Sequence, residues 1–248
     1  MVAYRRMTFD LTPEQLALAT KAREAAAAIG DGVATAIDTL GQIPEDVSKS
    51  LKAQSLKHLF DQGAVAAVLV IEELAMVSAG LAAHVGFDSA VSASDRKTVV
   101  PRALPGLRSA ETQTALLEIG TLETQVKGRL AAAAVALGIG QAAVHHTVTS
   151  LKKTGARPAA ETTTPHWALA DGATDVEAAR LLTYSAAQSL DRREDVGALI
   201  ARALDFAANA ALAAVDAAIR VEGPAGYIRG GLLERLSRDA RTLQVILR

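Results

Sequence analysis

Few residues of this chain have types and spacings that could support chemistry by themselves. His145 and His146 are adjacent, so on a helix their side chains point about 100° apart and cannot bind one metal ion together. No Asp or Glu lies three or four positions from either histidine to complete a ligand set. The chain also has no cysteine, which excludes thiolate ligands, disulfides and a cysteine nucleophile. We therefore predict no metal site.

Two groups of charged residues indicate structural roles rather than catalytic ones. Glu72 and Glu73 lie in an apolar helical stretch and point about 100° apart, so we expect one to pair with an arginine and the other to be solvated. A second group has the helical spacing of a hydrated salt-bridge face. Its members are Asp171, Asp175, Glu177 and Arg180.

Trp167 is the only tryptophan and lies where a loop meets a helix. Packing in the core is the first interpretation of this position. Contact with a cofactor across a subunit interface is the alternative.

Composition restricts the class of protein. Half of the 248 residues are hydrophobic but only 3% are aromatic, and alanine dominates. Alanine favours helices that pack closely. The net charge of −1, with no block of like charges, argues against binding to nucleic acid or to a membrane surface. The most apolar run, Leu130–Gly140, is too short to span a bilayer. We expect a soluble cytoplasmic protein.

Hydrophobic periodicity predicts helices throughout, with no convincing period-2 strand. Thr12 followed by Pro13 predicts the first helix start. The predicted fold is all-α, an N-terminal helical domain (1–93) joined by a linker (94–110) to a C-terminal four-helix bundle (111–248). The predicted helices cover residues 13–30, 44–61, 64–78, 81–92, 111–149, 166–190, 196–221 and 232–247.

Five segments resemble a known family. They are FDLTPEQLALATKAREAA (Phe9–Ala26), VLVIEELAMVSAGLAAHVG (Val68–Gly86), GRLAAAAVALGIGQAAV (Gly128–Val144), LADGATDVEAAR (Leu169–Arg180) and ERLSRDAR (Glu234–Arg241). Through these segments the chain resembles the acyl-CoA dehydrogenases. That resemblance implies an N-terminal helical domain, a middle β-barrel domain and a C-terminal four-helix bundle. Only the short linker stands where the β domain would be, so we expect that domain to be absent.

The resemblance also locates the catalytic base of the family. The base follows the RDA helix in most members, and the aligned residue here is Leu247. A few members have it on the first bundle helix, where this chain has Gly128. Neither residue can remove an α-proton beside a flavin, so we predict no catalytic residue at the family positions. Glu123 is the one candidate for a displaced base, and Arg129 is the candidate for binding substrate.

The family resemblance implies FAD as cofactor. The residues at or beside the positions of its flavin-binding loops are Arg157, Arg220, Gly223 and Gly226, and Trp167 is a further candidate contact for the cofactor. An arginine at position 220 could meet the flavin diphosphate, or it could pair with Asp216 or Glu222.

Three functions remain open at this point. The first is a subunit without its own base that pairs with a full-length acyl-CoA dehydrogenase, or with itself, and shares or receives FAD. The second is an independent flavin enzyme with a rebuilt site. The third is a non-enzymatic helical module that binds acyl-CoA.

Overall fold

The computed structural model describes residues 11–153, except 55 and 57, and residues 164–246. Within these ranges all regular structure is helical and there is no strand. The absence of a β domain between the two helical parts is therefore confirmed. The α-helices are α1 (Pro13–Leu40), α2 (Glu45–Ala53), α3 (Ala64–Ala75), α4 (Ala79–Ala90), α5 (Glu111–Ile119), α6 (Leu122–Lys153), α7 (Thr164–Asp191), α8 (Gly197–Glu222) and α9 (Leu232–Ile246).

The start of α1 follows the predicted capping pattern. Thr12 Oγ1 accepts a hydrogen bond from the backbone N–H of Gln15, and Gln15 Oε1 accepts one from the N–H of Thr12. This reciprocal pair satisfies two backbone donors that the first turn leaves free. The helix kinks at Gly30, the predicted end, where φ is 68° and ψ is 170°. A second helical piece then continues to Leu40, which the sequence did not predict.

Two predicted helices are interrupted. The predicted helix 44–61 ends at Ala53, and the chain turns before a short 3-10 segment, Leu59–Gln62. The predicted helix 111–149 is two helices, because Gly120 adopts an extended conformation with φ −74° and ψ 169° between α5 and α6. Leucines beside both breaks, Leu56 and Leu59 at the first and Leu116 and Leu117 at the second, are buried in the core.

One hydrophobic core runs through both helical parts. All twelve residues of α3 are buried, as its apolar sequence predicts. The helices α3 and α4 pack against α6, and α6, α7 and α8 pack against one another. Small residues allow close approach: a Cβ at Gly138 would lie 2.4 Å from Ala75 Cβ. The division into two domains at the linker stays a prediction.

Two helical stretches, Leu122–Lys153 and Gly197–Tyr227, are long and apolar enough to cross a bilayer by length and composition. Their most apolar windows are 72% and 50% buried inside the protein. Core helices have the same length and composition, so this observation is weak evidence for a membrane protein.

Candidate functional site

The carboxylate of Glu72 is fully buried and forms an internal ion pair with Arg180. Arg180 Nε donates to Glu72 Oε1 at 2.9 Å, and the Tyr184 hydroxyl donates to Oε2 at 3.0 Å. Arg180 also pairs with Glu177 and donates to Gln141 Oε1 at 2.7 Å. Burial alone would lower the pKa of Arg180, but the charges of Glu72 and Glu177 raise it above its ordinary value. Arg180 is therefore permanently charged and fixed.

This network corrects two expectations from the sequence. Arg180 is only 2% exposed, so it does not belong to a hydrated face, although Asp171 and Asp175 are exposed as predicted. Glu73 is not solvated either: it is buried and accepts from Arg23 Nη2 at 2.8 Å. Both carboxylates of the pair bind arginines, because an unpaired buried charge is costly. They stabilise the fold rather than form a reactive site.

The linker is held tightly between α4 and α9. Leu107 is fully buried, and its N–H donates to Asp239 Oδ1 at 2.6 Å. A Cβ at Gly106 would lie 2.4 Å from the carbonyl oxygen of Arg238, and a Cβ at Gly80 would lie 2.2 Å from that of Arg108. Only glycine permits these two backbone contacts. The connection that stands in place of the β domain is thus a packed structural element.

Asp239, the acidic residue of the RDA motif, is buried beneath the linker. Burial raises its pKa to about 7, and the charge of Asp38 also raises it. The hydrogen bond from Leu107 and the charges of Arg238 and Arg235 act in the opposite direction and lower the pKa. Asp239 therefore titrates near neutrality while it holds the linker.

Asp95, at the start of the linker, fixes the beginning of α6. Its Oδ2 accepts hydrogen bonds from the Thr124 hydroxyl at 2.6 Å, the Thr121 N–H at 3.0 Å and the Thr121 hydroxyl at 2.8 Å. The bond from Thr124 and those from Thr121 hold the pKa of Asp95 well below its usual range. This charged cap orients the helix that contains the predicted substrate-binding residue.

A cleft of about 280 Å³, named here the linker cleft, lies between the linker, α5 and α9. Its walls include the apolar residues Leu104, Val245 and Ile246. Two carboxylates, Glu111 and Glu118, also line it. The sequence did not single out these two residues, since only the fold of the linker brings α5 beside the end of α9.

The two positions predicted for the base of the family contain no carboxylate in this sequence. Gly128 is buried, and a Cβ there would lie 2.7 Å from Leu117 Cδ2, so no longer side chain fits without displacing Leu117. Leu247 lies outside the described residues. Glu123 has a side chain that is 71% exposed and forms an ion pair of 2.5 Å with Lys127. Glu123 thus belongs to a solvated i,i+4 pair on the helix surface.

Arg129, the predicted substrate-binding residue, lines a second cleft of about 200 Å³ between α6, α8 and α9. Asp205 and Gln244 are the other polar residues of its wall. This cleft and the linker cleft have no lining residue in common.

Arg220 lines a third, more open cleft of about 480 Å³, named here the arginine cleft. Arg241 lies in the same wall, together with the hydroxyl-bearing residues Tyr227 and Ser237. No acidic side chain in the described part of the chain forms an ion pair with Arg220, and neither Asp216 nor Glu222 lies within 4.0 Å of it in a salt bridge. Two guanidinium groups and two hydroxyl groups are donors of the kind that a diphosphate requires. These donors fit the diphosphate of FAD, although the carboxylate of Asp216 lies in the same wall.

The other predicted flavin positions lie near this cleft or outside the described residues. Gly223 has a left-handed φ of 65° and begins the short 3-10 segment after α8, and Gly226 packs closely against Ile219. Trp167 is 60% exposed, so its expected place in the core is wrong. Arg157 lies outside the described residues.

Trp167 lies at the same end of the bundle as the arginine cleft. The helices α7 and α8 are antiparallel neighbours, with a Cβ at Gly172 placed 3.0 Å from Ala214 Cα. Moving five residues from Gly172 towards the start of α7, about 7.5 Å at the usual helical rise, reaches Trp167. Its indole is exposed, and the alternative interpretation, contact with a cofactor across a subunit interface, stays a prediction.

The described residues contain no group of three or more metal-binding side chains. The histidine pair His145 and His146 thus has no additional ligands there.

Known proteins match the C-terminal half of the chain. The family profile described as Acyl-CoA dehydrogenase, C-terminal domain, matches residues 121–246. An acyl-CoA dehydrogenase of Bacillus subtilis is 40% identical over 120 residues, which are 48% of this chain and 32% of that protein. A 3-(aryl)acrylate reductase of Clostridium sporogenes is 38% identical over 129 residues, 51% of this chain and 34% of that protein. The matched segment spans about a third of the length of these relatives.

The fold as a whole has solved counterparts. Butyryl-CoA dehydrogenase from Megasphaera elsdenii superimposes with a TM-score of 0.78 at 17% sequence identity, covering 97% of this chain and 96% of that one. At this identity the likeness concerns the fold alone. The profile match, however, includes just over half of the chain and all of the helices α6, α7, α8 and α9. The chain therefore belongs to the acyl-CoA dehydrogenase family through its C-terminal helical domain.

Proposed function

We propose that this chain is an acyl-CoA dehydrogenase-like subunit without its own catalytic base. It pairs with a full-length, FAD-dependent acyl-CoA dehydrogenase that forms an α,β double bond in an acyl-CoA. The observation that supports this most directly is the environment of Gly128, where Leu117 occupies the space that a side chain would need. With Leu247 at the other base position, neither family position offers a proton acceptor.

In this proposal the cofactor is FAD, shared with the partner or supplied by it. Arg220 and Arg241 would hold its diphosphate, with the Tyr227 and Ser237 hydroxyl groups as further donors. Gly223 and Gly226 permit the tight backbone turn beside it. When bound, FAD supplies the acceptor for a hydride. Trp167, exposed at the same end of the bundle, would contact the partner or the cofactor.

The remaining features of the proposal concern substrate and location. Arg129 in its cleft is the candidate contact for a phosphate of acyl-CoA. The near-neutral charge supports a protein that binds neither nucleic acid nor a membrane surface, and the burial of the apolar helices supports a soluble, cytoplasmic one.

Co-expression tests this function. The chain is produced together with a full-length acyl-CoA dehydrogenase from the same source, and size exclusion is followed by absorbance at flavin wavelengths. We expect co-elution with flavin, and lower activity of the partner when it is produced alone. Arg220→Ala should lower the flavin content of the complex several-fold, whereas Arg229→Ala, an exposed arginine outside the cleft wall, should not. Elution alone as a colourless protein would contradict the proposal.

A second candidate function is an independent flavin enzyme with a rebuilt site. Glu111 and Glu118 in the linker cleft favour it, because Ile246, directly before the family base position, lines the same cleft. Glu111 is already paired with Arg108 at 3.2 Å, whereas Glu118 is exposed. A yellow protein that elutes alone and loses dehydrogenase activity in Glu118→Gln, but not in Glu123→Gln, would support this candidate. A colourless chain whose melting temperature rises with acyl-CoA would instead indicate the binding module.

A further inference from the structure

The second half of the linker, residues 102–110, is named here the strap. Its residues 102–105 form one wall of the linker cleft, and Leu107 beyond them is fully buried. Two residues of the strap other than glycine have left-handed backbone conformations, with φ 53° at Leu107 and 83° at Ser109. Such conformations are costly for residues with a side chain and persist only where surrounding contacts hold them. The strap is therefore held under strain by its contacts.

Two side chains bind the backbone of the strap in its strained part. Asp239 Oδ1 accepts from the Leu107 N–H at 2.6 Å, and His84 Nδ1 lies 2.7 Å from the Ser109 carbonyl oxygen. A carbonyl oxygen only accepts hydrogen bonds, so His84 Nδ1 is the donor whether or not the ring is charged. Of these two contacts, only the one with Asp239 acquires a buried negative charge when its side chain loses a proton.

The charged side chains next to Asp239 are engaged with other partners. Arg235 binds Asp31 at 2.8 Å, and Arg238 binds Asp38 at 2.8 Å. No ion pair to Asp239 forms within the described residues. Burial, with the charge of Asp38, therefore raises the pKa of Asp239 to about 7.

The charged groups on the other elements around the strap do not supply a cation to Asp239 either. Glu234 is paired within α9, and Glu111 of α5 is paired with Arg108 of the strap. From α8, Asp216 and Arg220 line the arginine cleft and not the linker cleft. An ionised Asp239 beneath the closed strap is thus a poorly compensated buried charge, which is unfavourable.

We propose that the strap is a pH-operated gate on the linker cleft, closed while Asp239 is protonated and opened when it ionises. The ionised carboxylate requires water, and lifting residues 105–107 from α9 admits it. The same movement releases the left-handed conformation of Leu107 and widens the cleft beside Leu104. His84 keeps its hydrogen bond to Ser109, so the strap stays hinged there and closes again as the pH falls.

Hydrogen exchange of the Leu107 N–H, corrected for the intrinsic pH dependence of exchange, measures the opening. The closed strap is fully favoured below pH 3.8, the ordinary pKa of an aspartate, and loses that advantage as pH rises through 7. These two values predict that the ratio of open to closed strap rises about tenfold between pH 6 and pH 8 and then levels off.

A reference within the same protein separates opening of the strap from unfolding of the whole chain. Residues 131–136 of α6 are fully buried, and their N–H groups should exchange only on global unfolding. Leu107 should be much less protected than these residues. Its exchange should also be insensitive to low urea, because lifting the strap exposes little surface, whereas exchange in α6 should accelerate.

Three variants test the role of Asp239. Asp239→Asn should abolish the change between pH 6 and pH 8, because its amide oxygen still accepts from Leu107 but does not titrate. Glu111→Gln alters another carboxylate that contacts the strap and should retain the tenfold change. Asp38→Asn should move the change to lower pH, since it removes a negative charge that opposes ionisation of Asp239.

The gate makes statements that can fail separately from the proposed function. A Leu107 N–H as strongly protected as residues 131–136 would show that the strap opens only when the whole protein unfolds. Equal protection at pH 6 and pH 8, or a change that persists in Asp239→Asn, would also reject the gate. A chain that does not co-elute with an acyl-CoA dehydrogenase would reject the proposed function and leave the gate standing, because the gate requires neither flavin nor a partner.

Discussion

Asp239 and Leu107 are joined by a hydrogen bond of 2.6 Å across 132 positions of sequence. This bond attaches the linker to α9 and leaves a carboxyl group buried. Because one wall of the linker cleft is formed by Arg102–Pro105, the same bond maintains the shape of that cleft.

Asp239 should make the protein less stable as pH rises. Its pKa is about 7 in the folded protein and 3.8 ordinarily, so the folded state binds the proton more tightly. The stabilisation is complete below pH 3.8 and is lost as pH rises through 7, with a slope of at most about 1.4 kcal/mol per pH unit. Urea unfolding between pH 4 and pH 8 measures it.

Asp239→Asn should flatten this pH dependence, because the amide oxygen still accepts from Leu107 but does not titrate. Asp171→Asn, on the exposed side of α7, is the matched control and should retain the wild-type slope. An unchanged slope in Asp239→Asn would show that Asp239 is not the titrating group.

The linker contacts predict a large difference between two glycines of the N-terminal helices. Gly80→Ala places a Cβ 2.2 Å from the carbonyl oxygen of Arg108, and such overpacking should cost about 1–3 kcal/mol of the free energy of unfolding. Gly32→Ala meets nothing within 4 Å and should be neutral or stabilise by up to about 1 kcal/mol. Chemical denaturation of both variants tests this, and equal effects would contradict the packing of the linker.

The buried pair of Glu72 and Arg180 predicts that removing one partner lowers the free energy of unfolding more than removing both. Arg180→Leu leaves Glu72 buried without its guanidinium partner and should cost about 3–5 kcal/mol. The double variant Arg180→Leu with Glu72→Leu should recover much of that loss. Lys49→Ala, which breaks the exposed pair with Glu45, should change the free energy of unfolding by less than about 1 kcal/mol. Urea unfolding curves of the three variants give all three values.

Asp95 should contribute stability that disappears in acid. Its hydrogen bonds from Thr124 and Thr121 lower its pKa in the folded protein below the ordinary 3.8. The contribution of Asp95 to stability is therefore fully present above pH 3.8, and it is lost as the pH falls through the lowered pKa of the folded state. Asp95→Ala should therefore lower the melting temperature at pH 7. Its difference from wild type should narrow as the pH is lowered below 4, and a constant difference would exclude ionisation of Asp95 as the cause.

Periodicity predicted most of the helices because alanine and leucine spacing determines which face is buried. It missed the break at Gly120 and the continuation of α1 beyond Gly30, since an isolated glycine inside an apolar pattern has no fixed outcome. In α4, α7 and α8 the ends agree within two residues of the prediction.

The site was less predictable than the fold. The sequence identified Arg220 and Arg129 through a family resemblance, but Glu118 and Arg241 line clefts only because the linker packs across α9. The prediction that Arg180 lies on a hydrated surface was wrong for a related reason. Its helical spacing to Glu177 suggested a surface pair, and no neighbouring residue indicated that its buried partner is Glu72, 108 positions earlier in the sequence.

That distance in sequence has a consequence for synthesis on the ribosome. The first helices emerge long before α7, so the carboxylate of Glu72 is made well ahead of the guanidinium that neutralises it. Closing α3 into an apolar interior at that stage would bury an unpaired charge. We expect the nascent N-terminal helices to stay open, and dependent on chaperones, until residue 180 has left the exit tunnel.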